Sequence, residues 1–434
     1  RRQAIHSVDV AELEDHLREQ IAGLVKAGLA PDEAFLVSVK RMGALDALSR
    51  EFAREHSDRL WKQLMVLPSD PGEPEAGVRW DAFVAFSLAV AAAVLIKLPA
   101  FFGMQLDENP NFYARNLSLF VLPALTGYFA WKRRLSTSTL RWLAVAFVAA
   151  GVLANVYPFA TLGSTERLTA LHLPIALWVA VGIAYTGSRW KEVAGRMDFI
   201  RFSGELFIYY VLIALGGGVL TAFLMMMFKT IGIDAEWFIQ SWLLPCGAAG
   251  AVVVASWLVE AKQSVIENMA PVLTRLFTPL FAALLVTFLA TLLLTGRAVD
   301  IERNLLIAFD LLLVVVLGLL LYSVSARDPQ LAAGPFDVMQ VVLVVSALLA
   351  DLVALWAISA RITELGFTPN RVAALGVNMI LLVNLAWSAV LYIRFLRARG
   401  SFTDLERWQT GYLPVYAVWA AIVVIVFPPL FGFI

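Results

Sequence analysis

The chain has 434 residues, of which 60% are hydrophobic and 16% are charged, and its formal net charge is zero. Soluble domains are about half apolar and a quarter charged, so the excess apolar residues of this chain need a lipid environment. The balanced charge argues against nucleic-acid binding. The single cysteine, Cys246, excludes both an intrachain disulfide and a multi-cysteine metal site. The composition therefore predicts an all-α polytopic membrane protein.

Residues 1–65 are predicted to form a small cytosolic domain of three amphipathic helices. One apolar stripe at three- and four-residue intervals marks the first helix, through Val10, Leu13, Leu17, Ile21 and Leu24. Gly28 is a helix stop, Pro31 begins a second helix, and Gly43 separates a third. Residues 66–79 are rich in Pro, Gly and Glu and are predicted to be a linker to a membrane domain at 80–434.

This N-terminal segment resembles the permease prefix domain of bacterial membrane proteins. The likeness lies in Leu13-Glu14-Asp15-His16-Leu17, in the turn from Gly28 to Phe35, and in Gly43-Ala44-Leu45. The resemblance implies a docking or regulatory attachment that binds a cytosolic protein partner through residues 8–65. A solvated helical cap without a partner is the alternative.

Long apolar runs follow from Trp80 onward, and most reach the roughly 20 residues that cross a hydrocarbon core. Eleven spans are predicted, of which the second is the shortest. They are placed near 81–103, 116–131, 140–160, 168–187, 203–228, 238–260, 272–295, 304–325, 337–360, 371–393 and 413–431.

Basic residues predict the orientation of these spans, because positively charged loops stay in the cytosol. The breaks after even-numbered spans are the more basic ones, with Lys132, Arg133, Arg134, Arg189, Lys191, Arg196, Arg201, Lys262, Arg327, Arg394, Arg397, Arg399 and Arg407. The N-terminus is therefore predicted in the cytosol, and the C-terminal residues, Phe431 to Ile434, on the outer face.

The stretch from about 304 to 432 resembles the domain-of-unknown-function 4153 family of bacterial membrane proteins. The likeness rests on "FDLLLVVVLGLLLYSVSARDP", "LGFTPNRVAALGVN" and "LERWQTGYLPVYAVWAA". It implies a polytopic protein of the bacterial plasma (inner) membrane, and it assigns no activity and no functional residue.

The element Thr368-Pro369-Asn370-Arg371 between the ninth and tenth spans has two interpretations. Thr368 can cap a helix and Pro369 suits its first position, which indicates a turn on the outer face with a structural role. The alternative is a small ligand clamp formed by Arg361, Glu364 and Arg371.

Ionisable and amide side chains within spans are unfavourable in lipid and usually face a protein interior or a wet cavity. From the predicted span ends, Asp310 lies about 9 Å deep, Asp351 about 14 Å and Asn378 about 12 Å, all in the outer half. Consecutive antiparallel helices usually pack as neighbours. We therefore expect these three residues to line one polar pocket open to the outside, with Lys97 as a counter-ion. The alternative is that Lys97 extends to the surface and each Asp bonds a neighbouring hydroxyl.

Two groups of small residues within spans have alternative interpretations. Gly216-Gly217-Gly218 in the fifth span and Pro245-Cys246-Gly247 in the sixth could break a helix and expose backbone carbonyls to a substrate. The other interpretation is that small residues let helices approach closely.

No catalytic residue, cofactor site or metal site is predicted, because no nucleophile elbow, phosphate-binding loop or metal-ligand spacing occurs. Three functions stay open at this stage. One is a transporter- or channel-like protein for a small polar solute or ion, and another is a membrane-embedded regulatory or sensory protein. The third is a structural subunit of a larger membrane complex, with a homo-oligomer as a further arrangement. The lipid bilayer is the partner common to all three.

Overall fold

The computed structural model describes Arg18, Ile21 and residues 24–26, 75–160, 163–230, 234–261, 269–295 and 303–434. Within these ranges the protein is built of helices. The long ones are α1 (Glu75–Lys97), α2 (Pro110–Lys132), α3 (Thr137–Val156), α4 (Ser164–Thr186), α5 (Val193–Thr230), α6 (Leu244–Ala261), α7 (Met269–Thr295), α8 (Arg303–Ala326), α9 (Pro335–Leu365), α10 (Pro369–Leu396) and α11 (Phe402–Ile425). A π-helical turn, Ile239–Leu243, leads into α6, and a short helix, Phe427–Leu430, follows α11.

The all-α fold is as predicted, and each predicted span corresponds to one long helix. Among the described residues, ten helices are long and apolar enough to cross a membrane. The remaining long helix, α2, covers the short second span. It has 23 residues, about 35 Å at 1.5 Å per residue, so its length suffices even though it is not among the ten. This is the architecture of an integral membrane protein.

The helix ends form two groups, one at each end of the bundle, and contacts between helices define each group. The first group, called the Arg133 end, contains the end of α2 and the end of α6, joined where Arg133 donates to Glu260 at 3.0 Å. Lys132 lies 3.4 Å from Asp81 near the start of α1, and Arg133 also donates to the Tyr185 carbonyl at the end of α4.

The second group, called the Arg115 end, contains the opposite ends of the same helices. Near the start of α2, Arg115 donates to Glu166 near the start of α4 at 2.6 Å. The chain terminus returns here, since Thr165 donates its backbone N–H to the Ile434 carbonyl at 2.7 Å. Because α2 contacts α4 at both ends, through Arg115 and through Arg133, these two helices run side by side along the bundle, and α6 joins α2 at the Arg133 end.

The packing core around Asp310, Asp351 and Asn378 is formed by α7 to α11 with two residues of α5, Met197 and Ile200. Its centre holds fully buried Leu313, Leu343, Ala347 and Leu385 from α8, α9 and α10. A second core joins α1 through α6, with an aromatic cluster of Phe129, Tyr185, Phe199 and Phe202 on α2, α4 and α5.

The chain divides into two compact units, residues 1–78 and 79–434. The boundary between the units falls within the segment 66–79 that the sequence predicts to be a linker, and the first described long helix begins in the same segment, at Glu75. The predicted three-helix domain at 1–65 lies outside the described residues, apart from Arg18, Ile21 and residues 24–26.

Candidate functional site

The turn before α10 has the predicted helix-start geometry. Thr368 is the N-cap, its hydroxyl accepts the Arg371 backbone N–H at 3.4 Å, and Pro369 occupies the first turn. The Arg371 guanidinium donates to the carbonyls of Leu365 and Gly366 at 2.9 and 2.8 Å. Arg371 thus closes the end of α9, which favours the structural role over the ligand clamp.

The third residue of this turn joins two helices. Asn370 donates its amide to the Ser164 hydroxyl at the start of α4 at 3.1 Å. The turn therefore fixes the start of α10, and with it the position of Asn378 two and a half turns further along.

The structure brings together Asp310 of α8 and Asn378 of α10, as the sequence predicts. The Asn378 amide nitrogen donates to Asp310 Oδ1 at 2.9 Å and to the Ala374 carbonyl of its own helix at 2.8 Å. Asn378 is fully buried, and Asp310 is half-buried. The amide therefore holds one carboxylate oxygen of Asp310 in place.

Asp351 of α9 belongs to the same group. It is 0% exposed, and neither of its carboxylate oxygens has a hydrogen-bond partner among the described residues. Asp310 lies close enough to interact with it electrostatically. The Asn378 carbonyl oxygen is likewise buried without a described partner. The group, called the Asp351 site below, therefore contains three buried acceptor atoms that no described donor satisfies.

The helix that carries Asp351 is longer than the predicted span. The α9 helix extends to Leu365, and Asp351 lies fourteen residues before that end, about 21 Å along the helix axis. Asp351 is thus near the centre of α9. Fully buried Ala347, Ala350 and Ala354 surround it on the same helix, and their small side chains leave the carboxyl without a polar neighbour on α9.

Lys97 does not belong to this group, so its predicted role as a counter-ion is wrong. Its ammonium donates to the Ser241 carbonyl and lies 4.6 Å from the centre of the Trp242 ring. The π-helical turn Ile239–Leu243 contains both partners. At the end of α1, a lysine is closer to this turn than to α8 and α9, because α1 packs against α2 and α6.

Several buried polar residues were not identified from the sequence. Gln340 of α9 donates to Thr278 of α7 at 3.1 Å and to Ser323 of α8 at 2.8 Å. Asn384 of α10, on a different face of that helix from Asn378, donates to Gln409 of α11 at 3.1 Å. These amides and hydroxyls carry no charge and interrupt no apolar run. Only their spacing on the buried faces of α9 and α10 could have indicated them.

The glycine triplet has neither of its predicted roles. The α5 helix is continuous from Val193 to Thr230, and a Cβ built on Gly216, Gly217 or Gly218 would meet no atom of the described residues within 4 Å. These glycines therefore do not break the helix, and they make no close contact with another described helix. In the sixth span, Cys246 packs with its sulfur 3.6 Å from the Ala93 carbonyl of α1, which fits the packing interpretation.

The Asp351 site supplies oxygen ligands only, from two carboxyl groups and one amide. Such a set can hold a proton or a hard cation. The described residues contain no group of three or more His, Cys, Asp and Glu side chains that could hold a metal ion.

The fold and this site together define an integral membrane protein with acidic groups buried between its helices. No family model, curated protein or solved structure matches the chain, so the two family resemblances rest on the quoted residues alone.

Proposed function

We propose that the chain is a transporter- or channel-like protein for small polar solutes or ions, in which Asp351 binds the proton or cation. One observation carries the proposal: a carboxyl group at the centre of α9 is 0% exposed and has no described hydrogen-bond partner. Intramembrane acids of this kind mark ion and proton pathways in membrane proteins.

The physical reason is the unfavourable energy of an isolated buried charge. Removing an ionised carboxylate from water is penalised by several kcal/mol unless a positive partner compensates. The Asn378 amide nitrogen is directed to Asp310 and not to Asp351. Asp351 must therefore be neutralised by a proton or a cation from solution, and loss of that ion would change the helix packing around it.

The Asp351 site is more deeply covered by packed side chains towards the Arg133 end than towards the Arg115 end. Towards the Arg133 end, eleven residues separate Asp351 from Gln340, about 16 Å along α9, and fully buried Leu343, Val344 and Ala347 fill that interval. Towards the Arg115 end, half-buried Asp310 lies only seven residues, about 10 Å, from the start of α8. This asymmetry supports an ion path that opens at the Arg115 end in this conformation.

The orientation in the membrane is part of the proposal. The Arg133 end contains most of the basic residues near helix ends, which supports its placement in the cytosol of a bacterial inner membrane. The Arg115 end, with the C-terminus, then faces outward.

Ion flux into liposomes tests the proposal. The full chain is reconstituted with a pH-sensitive dye or a sodium-sensitive dye inside, and a proton or sodium gradient is imposed. We expect flux above that of empty liposomes, and we expect Asp351→Asn to reduce it to the empty-liposome level, since an amide cannot exchange a proton.

Asp107→Asn is the matched control, because Asp107 is exposed in the segment between α1 and α2. It should conduct like the wild type. Equal flux through the wild type and Asp351→Asn, or no flux of either ion through the wild type, would contradict the proposal.

A further inference from the structure

A cavity of about 860 Å³ lies between α1, α2, α4, α5 and α6, in a different part of the bundle from the Asp351 site. Its size is within the roughly 300–1,000 Å³ typical of small-molecule sites. Its walls are mostly apolar, and Val121, Leu206, Phe207 and Val252 are among the lining residues. The occupant must therefore be largely apolar.

The cavity opens sideways onto the lipid-facing surface. Three of its lining residues on three different helices are among the most exposed apolar residues: Leu117 of α2 is 50% exposed, Phe207 of α5 is 69% exposed, and Leu244 of α6 is 47% exposed. Since such side chains face hydrocarbon in a membrane protein, a ligand reaches this cavity from the bilayer and not from water.

The length of the cavity matches one leaflet of a bilayer. Along α2 the lining extends from Pro110 to Leu122, twelve residues or about 18 Å. Half of a hydrocarbon core measures about 15 Å. One end lies at Leu106, Pro110 and Gln240, where the helices begin at the Arg115 end, so a polar head group there would lie at the membrane surface.

The wall contains one buried hydroxyl that has no hydrogen-bond partner among the described residues. Trp178 donates to the Ser203 hydroxyl at 3.1 Å, and Tyr113 donates to the Met104 carbonyl at 2.8 Å. The Ser118 hydroxyl, in a residue that is 5% exposed, has no hydrogen-bond partner among the described residues. A single ester or hydroxyl group on an otherwise apolar ligand would satisfy it.

We infer that this cavity binds the acyl chains of a phospholipid from the leaflet at the Arg115 end. The inference goes beyond the proposed function, since it concerns other helices and another ligand. A bound lipid fills the space between α2, α5 and α6 and thereby links these helices.

Quenching of tryptophan fluorescence tests the inference, because Trp178 is in the cavity wall. The purified full chain, freed of lipid in detergent, is titrated with phosphatidylcholine that has brominated acyl chains. We expect a saturable quenching component at low lipid, and we expect Trp178→Phe to remove it.

Cavity-filling variants separate this site from general lipid contact. Ala114→Phe on α2 and Ala248→Phe on α6 place rings in the cavity and should weaken the saturable component about tenfold. Ala283→Phe, on the exposed face of α7, is the matched control and should leave it unchanged.

A titration without a saturable component, or one that the two cavity-filling variants leave unchanged, would overturn the inference. Because no ion gradient is applied and Asp351 stays intact, this result is independent of the flux experiment.

Discussion

The Asn378 amide nitrogen donates to Asp310 Oδ1 at 2.9 Å across the interface between α8 and α10. Among the described residues, the Asn378 carbonyl oxygen and both Asp351 carboxylate oxygens then have no donor. One amide thus stabilises the carboxylate nearer to the Arg115 end, while we propose that the deeper one is neutralised by an ion from solution.

Removal of this amide should destabilise the protein. We expect Asn378→Leu to lower the free energy of unfolding by about 1.5–3 kcal/mol, since it removes a hydrogen bond to a charged group. Denaturant titration in micelles measures the change. Asn109→Ala is the control, because the Asn109 amide makes only an exposed bond of 3.3 Å to the Gln105 carbonyl. A similar loss of unfolding free energy in both variants would show that the bond from Asn378 to Asp310 stabilises the protein no more than an exposed hydrogen bond.

Replacement by asparagine should change the stability of the fold in opposite directions at two aspartates of α9. Asp351 has no described partner, whereas Asp337 accepts from Arg327 at 2.9 and 3.1 Å and from the Gly334 N–H at 2.8 Å. We expect Asp337→Asn to destabilise the fold by about 1.5–3 kcal/mol, since it removes charge-assisted hydrogen bonds from half-buried Arg327. Asp351→Asn should keep or raise the stability, because it replaces an unpaired acid by a neutral group.

Thermal unfolding of the two variants in one detergent gives this comparison directly. A large loss of stability in Asp351→Asn would indicate that Asp351 has a structural partner and no exchangeable ion.

The ion-pair network at the Arg133 end should contribute strongly to stability. The Glu260 carboxylate is 3% exposed, accepts two bonds from Arg133 at 3.0 Å, and lies 3.3 Å from Lys132. We expect Glu260→Gln to lower the free energy of unfolding by about 3 kcal/mol. In the control variant Glu192→Gln, the pair with Arg189 is exposed, and we expect a change within about 0.5 kcal/mol. Denaturant titration measures the free energy of unfolding of both variants, and equal losses would show that burial does not strengthen the network.

Glycines in α10 and α5 should differ sharply in their tolerance of alanine. A Cβ on Gly376 would overlap the Trp419 ring of α11, whereas a Cβ on Gly216 meets no atom of the described residues within 4 Å. We expect Gly376→Ala to separate α10 from α11 and to destabilise by about 1–3 kcal/mol or more. Gly216→Ala should stabilise by about 0.5–1 kcal/mol, since alanine favours the helix. Thermal unfolding measures both, and a stable Gly376→Ala variant would contradict the packing of α10 on α11.

The helices could be predicted because hydropathy and span length depend on local composition. The Asp310–Asn378 contact could be predicted as well, since α8 and α10 are both joined to α9 by short connections, and three consecutive helices that pack together bring residues of similar depth close. The end of α9 could not be predicted, because hydropathy ends a span where polar residues begin, and α9 continues through Arg361 and Glu364 to Leu365.

Contacts between distant helices could not be predicted from local patterns. The Lys97–Ser241 bond joins residues 144 positions apart, and the Arg133–Glu260 pair joins residues 127 positions apart. Their partners depend on which helices pack together, and no periodicity within one helix contains that information. The cavity wall likewise combines residues from five helices, so its shape exists only in the folded bundle.

Infrared difference spectroscopy of the full chain in lipid tests the central claim most directly, because it detects protonation of a buried carboxyl group without a known substrate. Spectra are recorded as the pH or the sodium concentration changes, for the wild type and for Asp351→Asn, with Asp107→Asn as the control. The account predicts a carboxyl band that responds to the ion in the wild type and in Asp107→Asn and is lost in Asp351→Asn. Identical difference spectra for all three proteins would contradict it.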